Sequence, residues 1–423
     1  MKKRSFVWLL TLIVFSVLHW SCGESVPSDE IRVTIGEGKT AYEAIQEALI
    51  KATPGKTVVL PEGNFSLDRS LSLTVDKVTV RGAGLDKTIL SFKNQKVEGD
   101  NKKEGAQGLR VQASGVVLEG FAIEDTQGDA IKVEDADGIT FRKLRVEWTN
   151  GPDKDNGAYG LYPVKSKNVL IEDCIVKGAS DAGIYVGQSE QIIVRRNRAE
   201  SNVAGIEIEN SKYADVHDNT ATKNTGGILV FDLPKLPVQG GQSVRVYNNE
   251  IVANNTDNFA PAGNIVAKVP KGVGIMILAN DNVEVFKNNF KDNQTAHVLI
   301  VNYEFAVGKT DDPKFDPYPE GIYVHDNKFA NGGYEPSGED FELLSALIGK
   351  PMPDVVYDGI FDPKKLKDGK VQAELQICVK NNGEGTFVNL HAYEKPIPKP
   401  NKDPKPHECE LEALKPITFD QAQ

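Results

Sequence analysis

The chain has 423 residues, 40% of them hydrophobic and 26% charged, with acidic residues ahead of basic ones by 60 to 49. That hydrophobic fraction excludes both a polytopic membrane protein and a disordered chain. A net charge of −11 repels phosphate backbones and argues against nucleic acid as a partner.

Lys2, Lys3 and Arg4 precede an apolar run from Phe6 to Leu18, and Ser21-Cys22 follows. A basic start, a short greasy core and a small residue before the cut describe a signal peptide over 1–21. The run is too short to span a bilayer comfortably. Cys22 stands where a bacterial lipoprotein carries its lipid. The expectation is an exported chain, anchored in the cell envelope and touching the membrane only through that lipid. Residues 22–39 read as a linker. Ala44, Ile45, Ala48 and Leu49 then make one face of a short helix, which Pro54-Gly55 stops before Val58-Val59-Leu60 begins the first strand.

From residue 108 one phrase recurs: Gly-Leu-Arg-Val (108–111), Ala-Ile-Lys-Val (130–133), Gly-Leu-Tyr-Pro (160–163) and Gly-Ile-Tyr-Val (183–186). Gly-Ile-Glu-Ile (205–208), Gly-Ile-Leu-Val (227–230) and Gly-Ile-Met-Ile (274–277) continue it, with a basic spacing of 22 or 23 residues. Each phrase alternates as a strand does and is too short to bury its own face, so successive units must stack. The crossover between parallel strands favours one hand. The predicted fold is an all-β, right-handed parallel β-helix over 40–330, with an N-terminal helical cap that covers its first coil.

A second phrase ends in asparagine at Asn197, Asn219, Asn249, Asn288 and Asn327. An asparagine at a bend can offer its amide to the coils above and below, which satisfies backbone groups a buried turn would strand. The same register places Cys174 in this column, as a small buried hydrophobe rather than a nucleophile. Residues 331–423 read as a C-terminal cap, with a helical stretch near Phe341–Ile348 and a Pro/Lys-rich arm at 396–406. In an oxidising envelope Cys378 and Cys409 are expected to pair.

The run Ala44-Ile45-Gln46-Glu47-Ala48, with Pro54 to Gly63 and Arg81 to Leu90, resembles the opening coils of secreted carbohydrate-active β-helix proteins. Residues 159–186 resemble mannuronan C5-epimerases, which carry an Asp-Pro-His-Asp motif after Tyr-Gly-Phe. Here Tyr159-Gly160-Leu161-Tyr162-Pro163-Val164-Lys165 lacks that catalytic histidine. Ala179 to Ser189, Asn202 to Asn210 and Phe231-Asp232-Leu233-Pro234 are similar to a family of exported β-helix repeat proteins, mostly lipoproteins. That resemblance implies the fold and an exported partner protein, with cytochrome-like features, and leaves the chemistry open.

Alternation along the strand gives two outward columns. One reads Arg110, Lys132, Tyr162, Tyr185, Glu207, Leu229, Met276; the other reads Gln112, Glu134, Val164, Gly187, Glu209, Phe231, Leu278. Insertions at 93–107, 149–158, 254–272, 231–243 and 302–320 would wall a groove along them. Tyr162 and Tyr185 could stack on sugar rings. Glu207 and Glu209, roughly 6.8 Å apart by strand rise, have the separation of an acid and base pair in an inverting glycosidase. Lys132 and Lys165 could neutralise a uronate, and Asp181 and Asp232 flank the strand at its two ends. The resulting expectation is a polysaccharide-binding face, with lyase, epimerase or hydrolase chemistry as the modification it would support.

The alternative is a non-catalytic scaffold docking a partner, with Leu229, Phe231, Met276 and Leu278 as an outward apolar patch. No cofactor is expected. Asp153-Lys154-Asp155-Asn156-Gly157 has the rhythm of a calcium loop without its downstream glutamate, and a polar turn is the preferred reading. His217 and His325 share a column three coils apart, too far to chelate one ion.

Overall fold

The computed structural model describes residues 29–96, 106–394 and 399–419. The signal segment and Cys22 lie outside them. Among the described residues the strands form three long sheets, and every pairing in those sheets is parallel. One coil shows the plan: Ala182–Gly187 lies in sheet I, Glu190–Arg195 in sheet II and Arg198–Glu200 in sheet III. The next coil repeats it one layer up, with Ile184 against Ile206, Val194 against Val216 and Ala199 against Ala221. This is the right-handed parallel β-helix expected from the period. Its interior is a continuous stack of buried Val, Ile, Leu and Phe from all three sheets.

Helix α1, Ala41–Lys51, closes the first coil and buries Ala44, Ile45, Ala48 and Leu49. A capping box starts it: the Glu43 amide donates to Thr40 Oγ1 at 3.2 Å, and the Thr40 amide donates to the Glu43 carboxylate at 2.9 Å. Thr40→Ala removes half of this exchange. It should lower the urea unfolding free energy by about 1 kcal/mol.

Two boundaries differ from the sequence reading. The stretch read as a linker contains a strand, Glu30–Arg32, paired with Thr57–Val59. Too short to show alternation, it gave no periodic signal. At the other end the coil does not stop at 330. Val355–Tyr357 and Phe387–Asn389 extend sheet I, and Ile377–Lys380 extends sheet II. Long insertions between these strands hide their period. Helix α3, Glu339–Ile348, lies in the predicted helical stretch (α2 is the single turn Tyr303–Ala306). Cys378 and Cys409 form a disulfide.

The asparagine column is a continuous ladder on the bend from sheet II to sheet III. Asn219 Oδ1 accepts from the Asn197 amide at 2.9 Å and from Asn197 Nδ2 at 3.0 Å. Asn219 Nδ2 donates to Val194 O at 2.9 Å and to Asn249 Oδ1 at 3.0 Å. Arg196, Asp218, Asn248, Lys287 and Asp326 turn the chain into it with φ between 52° and 55°. Cys174 stands at the ladder's start, its amide donating to Asn197 Oδ1. It is buried, and burial pushes its thiol up to about 12.

A second ladder, Asn202, Asn224, Asn254 and Asn293, runs along the bend from sheet III to sheet I. It leaves no room for a side chain at the glycines beside it: a Cβ at Gly183 would lie 2.7 Å from Asn202 Nδ2, and one at Gly205 2.7 Å from Asn224 Nδ2.

Candidate functional site on the outer face of sheet I

The predicted columns do point away from the coil interior, but most of them do not meet water. The face changes character along the solenoid axis. In the first coils it is open and charged: Arg110 donates to Glu134 at 2.9 Å, and Lys132 Nζ lies 3.3 Å from the other oxygen of the same carboxylate. Lys132 Nζ also stands 5.3 Å from the centre of the Tyr162 ring. Tyr162 is half-buried within a cluster of three tyrosines, its centroid 4.5 Å from Tyr159 and 4.9 Å from Tyr185.

Further along, a second layer covers the sheet. Val266 and Val269 of the 254–272 loop, Tyr303 of α2, Phe315 and Ile348 of α3 pack on Leu229, Phe231, Met276 and Leu278. All four of those outward residues are buried. The apolar docking patch expected from the sequence is therefore absent, because the chain's own insertions occupy it. Alternation reports which side of a strand a residue takes. It says nothing about what lies over that side.

Three carboxylates sit where the open part ends. Asp181, Glu207 and Glu209 are 5%, 1% and 8% exposed. Tyr185 donates to Glu209 Oε1 at 2.6 Å, and Asp181 accepts from Asn264 Nδ2 at 3.1 Å. Glu207 Oε2 is buried with no hydrogen-bond partner. Burial and the neighbouring acids raise all three, because the other charges that bear most on them are carboxylates. Asp181 and Glu209 are pushed up to about 7, and Glu207 lies well above the carboxylate range.

A buried carboxylate on sheet II is treated differently. Glu172, almost as buried on sheet II, accepts from Arg142, Arg195 and Arg196 at 2.7 Å each. Burial alone would raise it; the three arginines outweigh that and hold it at about 2.

The predicted site residues thus divide. Glu207, Glu209, Asp181, Tyr185 and Tyr162 come together, with Lys132 at the approach. Tyr185 is 4% exposed, so Tyr162 is the ring that an incoming molecule meets. Lys165 is exposed on the turn after the strand, at the opposite end from Asp181. Asp232 accepts from the Gly240 and Gly241 amides at 3.1 Å each and so holds the 231–243 loop. Asp153 accepts from the Asp155 amide at 2.9 Å, and Lys154 pairs with Asp155; both acids belong to an exposed polar turn. Among the described residues no group of three or more His, Cys, Asp or Glu is arranged to hold a metal ion. His217 and His325 are the ends of one stacked ring column with Tyr247 and Phe286 between them.

Tyr159 and Asn264 were missed. Tyr159 has the parity of an inward residue, but the glycine after it breaks the alternation. Its register partners Ala182, Ala204 and Ala296 consequently face the outer layer too. Asn264 comes from a loop with no periodic signal at all.

The sequence matches the family described as "Right handed beta helix region" over residues 78–234. Among solved structures it is similar to the A-module of the Azotobacter vinelandii mannuronan C-5 epimerase AlgE4. The two are 14% identical with a TM-score of 0.51, over 81% of this chain and 91% of that one. It is also similar to an alginate lyase from a Paenibacillus species, at 17% identity and a TM-score of 0.44, over 73% and 98% of the two chains. No curated protein matches the chain in sequence. The protein has the right-handed β-helix fold that the epimerase module also has.

Proposed function

We propose that this is an exported protein of the bacterial envelope, lipid-anchored at Cys22, that holds a polysaccharide along the outer face of sheet I and modifies it. The carboxylate trio carries this reading. Taking an unpaired carboxylate out of water costs several kcal/mol unless it keeps its proton. One coil further on, the same columns hold Leu229 and Phe231, so folding does not call for acids there. The basic and apolar start of the sequence supports export, and the disulfide suits an oxidising compartment.

In the proposed site Tyr162 offers a ring face to a sugar, and Lys132 offers a cation to a uronate carboxylate. Glu207 keeps its proton at neutral pH and is the proton donor. Glu209 and Asp181, near 7, are the bases. Two residues apart on one strand, with Cα atoms roughly 6.8 Å apart by strand rise, Glu207 and Glu209 present both carboxyls to one face, as an acid and base that flank a glycosidic bond must. The fold shared with a mannuronan epimerase puts polyuronates among the first ligands to try.

The test is retention of the mature protein on immobilised glycans that include polyuronates. Tyr162→Ala and Lys132→Ala should each weaken retention about tenfold, the loss of one good contact at about 1.4 kcal/mol. Glu207→Gln should keep retention and abolish turnover. A folded protein that no glycan retains, or retention that both alanine variants leave untouched, would sink the reading.

A further inference from the structure

A second face of the coil carries a separate signal. Beyond the disulfide the chain runs across the outer side of sheet II, perpendicular to its strands. Cys409 is bonded to Cys378, and Glu410 pairs with Lys380. The Leu414 amide then donates to Glu284 Oε2 at 3.1 Å, and the Ile417 amide donates to Asp215 Oδ2 at 3.1 Å.

Those two acceptors belong to one outward column, in which Asp215 registers with Arg245 and Arg245 with Glu284. They are thus two coils apart, about 9.6 Å at a strand spacing of 4.8 Å. Three residues separate the donors. A polyproline-II segment rises about 3.1 Å per residue and advances about 9.3 Å in three, whereas a helix would advance about 4.5 Å. The three-residue turn of such a segment therefore keeps step with every second coil. The burial pattern agrees: Leu411, Leu414 and Ile417 are half-buried, while Glu412, Ala413, Lys415, Pro416 and Thr418 are exposed. Among the described residues, 409–419 make no backbone-to-backbone hydrogen bond, as polyproline II requires.

The segment is seated without being built in. None of residues 411–419 is buried, and a channel of about 640 Å³ lies beside it, lined by Tyr213, Asn282, Glu284 and Tyr323. Between the two acceptors Arg245 pairs with Asp215 at 3.0 Å and lies 3.8 Å from Glu284, its Nε buried without a hydrogen bond. The face has two ion-paired acceptors two coils apart, apolar and aromatic walls, and room beside its present occupant.

We propose that the outer face of sheet II is a recognition groove for an extended peptide with an apolar residue and a free amide at every third position, and that residues 411–419 are its tethered competitor. The partner is a protein segment of that pattern in polyproline-II conformation. Main-chain donors supply the affinity, and the three-residue period supplies the selection. The tether keeps the chain's own segment at an effective concentration in the millimolar range, so a free peptide enters only when that segment is weakened.

The full-length mature chain tests this with the double substitution Leu414→Pro/Ile417→Pro. Proline suits the extended conformation, and it removes both the donating amide and the larger apolar side chain at each of the two positions the groove would read. The probe is a fluorescein-labelled synthetic peptide of residues 409–419 carrying Cys409→Ser, followed by anisotropy. The expected result is saturable binding to the double variant, at least about tenfold tighter than to the unsubstituted chain. The same peptide carrying both prolines should not bind. Equal binding to both proteins, or none to either, overturns the proposal. A double variant that melts well below the parent makes the segment part of the fold and overturns it equally.

Discussion

Replacing Glu209 by glutamine should stabilise the protein at pH 8 and leave it unchanged at pH 4. The carboxyl is held at about 7 in the folded chain, first by burial and then by the charge of Asp232, against a hydrogen bond from Tyr185 that works the other way. In the unfolded chain it has its ordinary value of about 4.5. Below that value both states carry the proton and the group makes no difference. As the pH rises toward 7 the unfolded chain gives up its proton while the folded chain keeps it, so stability falls. Above 7 the loss is complete, about 3 kcal/mol at 1.36 kcal/mol per unit. Glutamine has the same shape and still accepts from Tyr185, so it removes only this loss. Urea midpoints at the two pH values would show it. A variant less stable at pH 8 would mean that a cation sits against the trio in solution.

Asn219→Ala should have the opposite sign and a similar size, a loss of about 3 to 4 kcal/mol. The substitution deletes two bonds accepted from Asn197 and two donated to Val194 and Asn249. Each buried group left without a partner costs about 1 to 3 kcal/mol, and the strand spacing leaves no room for water to replace the amide. Asn64→Ala, at an exposed strand position, should stay within about 0.5 kcal/mol. Equal losses at the two positions in urea unfolding would show that the ladder is not the source of the coil's stability.

Most of the coil was legible because a stacked unit repeats its chemistry at each layer. The Gly-Ile phrase, the inward Ile and Val columns and the first asparagine ladder all follow from one register, and Cys174 falls into place through it. The second ladder carried the same evidence, since each of its members lies five residues after one of the first. Glu207 and Glu209 were placed on the correct side of the strand for the same reason. Their surroundings were not, because the cover comes from insertions at 254–272 and 302–320 that share no period with the coil. Val266 and Val269 were the available sign: apolar residues in a loop need something to bury them. The late strands at 355–357 and 387–389 escaped because two repeats separated by long excursions show no visible spacing.

The rungs of the first ladder are 22, 30, 39, 39 and 55 residues apart in sequence, yet each makes the same bonds to the next. Chain length between rungs is therefore invisible to the spine. A loop can be lengthened, exchanged or deleted at one layer without breaking a rung of the ladder above or below it. Evolution can thus revise the surface chemistry of such a molecule one storey at a time, and so can an engineer. Trimming 254–272 to an ordinary turn would lift the roof from the acids and leave the column beneath them standing.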